Sequence, residues 1–303
     1  MERIFKSKIG CVITAVIVCI FWGSLYSFIK IGQGAFGIVS GDIPSIMLFA
    51  GLRFTVCGII MVAIACVGQK KLALPDKSSI MPILWVALIT IVIHYSLTYI
   101  ALSVGQSSKA AILKQIGFLL LSCFAFLFRK EDKFSINKLV GGFLGFAGVI
   151  AVNINGMGLD FAIGDLLILI ASFCSVAGNI ISKNAYDKCS PVTVVAYSQL
   201  FGGIILVAAG IVMGGSLIPT TEGYGILTYI CFASIVAYIL WNMLVKYNDM
   251  SLLSVLKFME PLFAVIVALV MFPETEYFRV EYIVAFALMA AAVTIINMKK
   301  KNR

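Results

Sequence analysis

Five ionisable side chains stand inside long apolar stretches of this 303-residue chain: Arg53, His94, Lys114, Lys257 and Glu260. A charge in hydrocarbon costs roughly 2.5–3.5 kcal/mol on insertion scales, so each position needs a chemical reason. Lys257 and Glu260 are three residues apart and share one helix face. They can neutralise each other, or form a proton or substrate site beside Pro261, which interrupts the helical hydrogen-bond ladder. Lys114 has no carboxylate at helical spacing, because Gly117 and Phe118 fill the next turn. Such an ammonium either attracts an anionic solute group or snorkels to the membrane interface. Arg53 stays charged and must meet carbonyls, water or an anion, and a structural tie between helices is the expectation. His94 is the sole histidine, either a hydrogen-bonded packing residue or a proton relay. Trp22, Tyr26, Tyr95, Tyr99, Asn179, Gln199, Tyr238, Trp241 and Asn242 are candidates to line a path around these charges. Tyr95 and Tyr99 are one helical turn apart, and Tyr238 and Asn242 repeat that spacing.

The elements that must hold these residues are transmembrane helices. The chain is 61% hydrophobic and 12% charged, against about 25% charged in a soluble domain. Breaks in hydropathy predict ten spans: 11–31, 43–67, 80–102, 107–128, 136–153, 164–182, 191–213, 224–245, 250–272 and 280–298. The alternating polarity of a β-barrel is absent from the sequence. The net charge of +9 does not point to nucleic acid, since the basic residues gather in loops and tails. With the N-terminus cytoplasmic, nearly all of them fall on the cytoplasmic side, leaving Lys30, Lys109 and Arg279 opposite, so both termini are expected in the cytoplasm. The basic residues Arg3, Lys6 and Lys8 precede an apolar stretch that runs on to Ile31, which reads as an uncleaved first span. Seven of the eight cysteines lie in or beside apolar runs, as small apolar residues do, and only Cys189 is in a loop. No metal-ligand spacing is present, and no cofactor is expected.

The sequence also repeats itself. The segment 107–131 aligns with 250–274, placing Lys114 on Lys257 and Glu131 on Glu274. At the same offset, His94-Tyr95 falls on Ala237-Tyr238. The expected architecture is therefore an all-α membrane protein with two five-helix repeats, residues 1–156 and 157–303. An odd number of spans per repeat makes the two copies inverted, the arrangement that supports alternating access around a midplane site. The run GGFLGFAG at 141–148 reads as close packing of the fifth span.

Several segments carry a family likeness: IFWGSLYSFIK in the first span, AGLRF in the second, GDLLILIASFCSVAGNIISK in the sixth and LKFMEPLFAVIVALVMFPE in the ninth. In order and spacing the chain resembles the drug/metabolite transporter superfamily, in its ten-span EamA-type branch. That resemblance implies secondary transport or export of small metabolites in a bacterial cytoplasmic (inner) membrane, through a central cavity lined largely by spans 3, 4, 8 and 9. One departure stands out: the fourth span of the family usually has a proline where this chain has Phe118, so Pro261 lacks its partner hinge unless Gly117 supplies one.

The expected substrate-binding residues are Lys114, Lys257, Glu260, Tyr95, Tyr99, Tyr238, Asn242 and Trp22. Glu260 and His94 are candidates for proton coupling, Arg53 for a structural charge, and Pro261 and Gly117 for hinges. The substrate expected is a small amino acid or other carboxylate-bearing solute, anionic or zwitterionic, and the direction is outward. A lipid or lipid-linked headgroup flippase of the same fold is the alternative. An enzyme is not expected, because no Ser/His/Asp set, histidine cluster or phosphate loop is present.

Overall fold

The computed structural model describes residues 2–70, 73–104, 113–115, 117, 135–153 and 163–271, with 283–284, 287–288, 291–292 and 294–295 near the C-terminus. Every regular element among the described residues is helical. A short α1 (Glu2–Lys6) precedes α2 (Lys8–Ala35) and α3 (Ile43–Gln69). The third segment divides into α4 (Lys77–Val86), a π-helical stretch Ala87–Ile93 and α5 (His94–Val104). Next come α6 (Ile136–Asn153), α7 (Ile163–Ala185), α8 (Pro191–Val212) and α9 (Thr221–Tyr247). The last described elements are α10 (Met250–Leu256), a single 3₁₀ turn Lys257–Met259, and α11 (Glu260–Met271).

Local chemistry sets the boundaries. The Ser7, Asp42, Ser190 and Thr220 side chains accept from backbone N–H groups of the first turns of α2, α3, α8 and α9, satisfying donors that a helix start leaves free. Gly37 and Gly41 take positive φ in the turn between α2 and α3, a conformation glycine adopts without steric penalty. Pro261 is the second residue of α11, one position beyond the residue that follows the 3₁₀ turn. It has no N–H to give the Lys257 carbonyl one turn back, so α10 and α11 cannot run on as one regular helix.

Among the described residues, seven helical segments are long and apolar enough to cross a membrane: Lys8–Ala35, Ile43–Gln69, Lys77–Val104, Ile163–Ala185, Pro191–Val212, Thr221–Tyr247 and Leu252–Met271. They correspond to predicted spans 1–3 and 6–9. The fifth predicted span, 136–153, forms helix α6. The fourth and tenth fall largely outside the described residues, as do Phe118 and Glu131. The burial pattern suits lipid. Ile59, Ile60, Ile64, Ile204, Ile205 and Ile211 face outward, while Arg53, His94, Lys257 and Glu260 are buried.

The helices pack in a regular set of pairs. The most extensive contact joins α3 to α8, while α2 packs on α9 and α11, and α5 on α7. At the α3–α8 contact, Gly51 meets Val207, Gly58 meets Leu200, Gly203 meets Thr55 and Gly210 meets Leu48. One number rises as the other falls, so the helices are antiparallel. The contacts are also reciprocal: the offset from Gly51 to Gly203 also takes Thr55 to Val207, Gly58 to Gly210 and Leu48 to Leu200. A Cβ on Gly58 would fall 2.5 Å from the Leu200 backbone nitrogen, and one on Gly210 2.7 Å from that of Leu48. Only glycine permits so close a backbone approach.

Candidate functional site

A central cavity lies among these helices. Its lining includes Trp22 and Tyr26 of α2, Arg53 of α3, Thr90 of the π-helical stretch, His94 and Tyr95 of α5, and Lys114. Asn179 and Ser182 of α7, Ser198 and Gln199 of α8, and Tyr238, Trp241 and Asn242 of α9 face it from the other side, with Lys257 and Glu260 at the break before α11. About 80 Å³ is open to the centres of water-sized molecules. A single water needs ~10–15 Å³ by that measure, so several waters or a small solute fit. Where the resemblance implied a cavity lined largely by spans 3, 4, 8 and 9, spans 1, 2, 6 and 7 supply much of the wall as well.

Gly23 brings α2 against α11. A Cβ there would lie 2.8 Å from the Ala264 nitrogen and 2.9 Å from the Glu260 carbonyl oxygen. This contact sets the flanking Trp22 and Tyr26 over the Lys257–Glu260 pair. Tyr26 Oη donates to Glu260 Oε1 at 2.9 Å. Lys257 Nζ pairs with Glu260 Oε2, lies 3.1 Å from the centroid of a Trp22 ring and 4.9 Å from one of Trp241. Mutual neutralisation is therefore how this pair stands in the structure.

Lys114 is also buried, with Nζ 5.4 Å from the Tyr26 ring centroid. Among the described residues it has no carboxylate within 4 Å and no hydrogen-bond acceptor. It faces the cavity, so snorkelling to the interface does not describe it. Ser172 of α7 reaches the helical backbone beside it. Ser172 Oγ accepts from the Gly117 N–H at 2.9 Å and donates to the Lys114 carbonyl at 2.6 Å. A side chain inserted into a helical ladder in this way opens it locally.

Arg53 is the largest fully buried side chain. Nε donates to Ser234 Oγ at 3.0 Å and Nη1 to Tyr99 Oη at 2.7 Å, a tie across three helices. Its guanidinium also lies over the Phe54 and Tyr95 rings. Nη2, however, has no partner. His94 Nδ1 lies 3.1 Å from the Thr90 carbonyl. A carbonyl only accepts, so the proton sits on Nδ1 and Nε2, which is unpartnered, is free to accept. Gln199 is fully buried with both amide atoms unpartnered, as is the indole N–H of Trp22.

The aromatic candidates divide by role. Tyr95 and Tyr238 bond hydroxyl to hydroxyl across the cavity wall, at a sequence separation of 143. Tyr99 stands behind that wall as the partner of Arg53. Trp241 Nε1 donates to Asn179 Oδ1 at 2.8 Å, while Asn242 accepts from Tyr186 and donates to the Tyr238 carbonyl. Thr90, Ser182 and Ser198 also line the cavity, though the sequence reading did not single them out. Thr90 lies in a π-helical stretch with no proline or glycine to mark it.

Comparison with known proteins bears on this site. The chain matches the EamA-like transporter family over residues 9–154 and again over 162–298. It is similar to the uncharacterized inner membrane transporter YedA of Escherichia coli strain K12, 26% identical over 289 residues covering 93% of this chain and 88% of that one. It is also similar to the uncharacterized transporter YvbV of Bacillus subtilis strain 168, 24% identical over 84% of this chain and 83% of YvbV. A protein of known crystal structure shares the fold with a TM-score of 0.77 at 17% identity, covering 96% of this chain and 97% of that one. With two matched segments spanning nearly its full length and its apolar helices arranged around a polar cavity, the chain belongs to the EamA-like transporter family and is a multi-pass integral membrane transporter.

Proposed function

We propose that the protein is an alternating-access carrier with ten spans, built from inverted five-helix halves, 1–156 and 157–303, with both termini cytoplasmic. It moves a small carboxylate-bearing organic solute outward across the membrane. The close antiparallel packing of α3 on α8, the second span of each half, supports the inverted halves. The Tyr95–Tyr238 bond supports it too, since residues related by a two-fold axis can touch only on that axis. Antiparallel α3 and α8 fit the second span of each half pointing in opposite directions.

The observation that carries the substrate class is the charge of the cavity wall. Among the described residues it holds three basic side chains, Arg53, Lys114 and Lys257, against one carboxylate, Glu260. No carboxylate among the described residues lies within 4 Å of the Lys114 ammonium, and Arg53 Nη2 has no hydrogen-bond partner. A solute carboxylate satisfies both donors in a low-dielectric site where charge-assisted bonds are strong. Tyr95, Tyr238, Asn242 and Trp22 shape the remaining wall, and Tyr99 acts through Arg53. Gly117 and Pro261 serve as hinges at the two irregular helix segments. Proton coupling falls to Glu260 and His94, which line the same cavity.

The test is flux of radiolabelled amino and organic acids in proteoliposomes, with and without a pH gradient. Lys114→Ala should abolish carboxylate flux while the protein still inserts. Flux equal to wild type would remove Lys114 from the mechanism.

A further inference from the structure

The surroundings of Lys257 are built like a ligand site, yet the protein's own side chain fills them. The ammonium lies on the faces of Trp22 and Trp241, whose rings are 5.4 Å apart, and it pairs with Glu260. Tyr238 closes one edge, 5.5 Å from Trp22. Aromatic faces with one carboxylate are the recognition chemistry of an organic ammonium group. The same cavity is lined by the basic side chains of Lys114 and Arg53, whose charge suits an anion. We propose that Trp22, Trp241 and Glu260 form an ammonium-binding site, that Lys257 occupies it in the solute-free protein, and that the ammonium of a zwitterionic solute takes the lysine's place.

This inference rests on the cavity being the solute site. Its logic is charge balance. A lysine leaving Glu260 with nothing in exchange strands two opposite charges in a low-dielectric interior. A zwitterion prevents this: its ammonium takes over Glu260 and the indoles, and its carboxylate receives the released lysine. A simple amine leaves Lys257 without an anion. A simple carboxylate gives Glu260 no replacement cation. The lysine is thus a tethered competitor that admits solutes carrying both groups, and the exchange involves ion pairs only.

The probe series is minimal: glycine, and methylammonium chloride, which is glycine without its carboxylate. Trp22 and Trp241 are two of the three tryptophans, and Trp85 is half exposed on the outer surface, so intrinsic emission of purified protein reports the site. Lys257→Met should respond saturably to methylammonium with a midpoint at least about tenfold below that of wild type. Adding Glu260→Gln should remove that response. Equal midpoints in wild type and Lys257→Met, or a response that survives the double substitution, would overturn the proposal. Lys257→Gln serves if the methionine variant does not fold. Wild-type protein gives an independent reading: glycine should bind at least about tenfold tighter than methylammonium, and the reverse order is fatal. Binding in detergent is separate from proteoliposome flux, so flux with equal midpoints sinks the displacement alone, while absent flux sinks the carrier reading.

Discussion

Lys114 and Lys257 align in the sequence repeat, and both end at the same cavity, but their surroundings differ. Lys257 has a carboxylate, two indole faces and a tyrosine holding that carboxylate in place. Lys114 has one tyrosine ring, and beside it in sequence the side chain of Gln115 is fully buried with neither amide atom paired. The difference teaches that residue type does not fix a buried cation's role. A lysine whose charge is met by the fold contributes to the fold. A lysine whose charge is not met keeps its capacity for an incoming anion.

The sharpest way to break this contrast is to remove the partner of Lys257. Glu260→Ala leaves that ammonium buried without an anion, and unfolding in detergent should become easier by about 3–5 kcal/mol. A melting temperature close to wild type would show that the ion pair contributes little. Tyr26→Phe removes one hydrogen bond to the same carboxylate and should lower stability by about 1.5–3 kcal/mol, the range for bonds to charged groups. Thermal melts of the two variants should therefore fall in that order. Lys114→Met should show the smallest effect on stability, within about 0.5 kcal/mol of wild type or slightly more stable, because it deletes a buried charge with no carboxylate within 4 Å among the described residues. That variant should nonetheless lose carboxylate flux. Marked destabilisation instead would mean that Lys114, like Lys257, holds the fold together.

Much of this was legible in the sequence because hydrocarbon penalises charge so strongly. Arg53, His94, Lys114, Lys257 and Glu260 stand out against their apolar surroundings, and all five line one cavity. The Lys257–Glu260 pair follows from helical spacing alone. What spacing cannot carry is contact between helices. Nothing in the sequence places Trp22 on Lys257, since 235 positions of chain separate them and no periodicity connects them. The same holds for the Ser172 hydroxyl inserted at Gly117. The π-helical stretch 87–93 was hidden because ordinary aliphatic residues compose it. The glycine seam was readable yet passed over. Gly51 and Gly58 lie two helical turns apart on one face, as do Gly203 and Gly210. The noticed run 141–148 instead seats Gly145 against Phe258.

The α3–α8 crossing has a mechanical meaning for the proposed alternating-access carrier. Where two backbones touch with no side chain between them, sliding in any direction meets main-chain atoms, whereas rotation about the contact point displaces almost nothing. Leverage vanishes at such a crossing and grows with distance from it. Arg53 sits beside this crossing, between Gly51 and Gly58, and ties it to α9 and α5 through Ser234 and Tyr99.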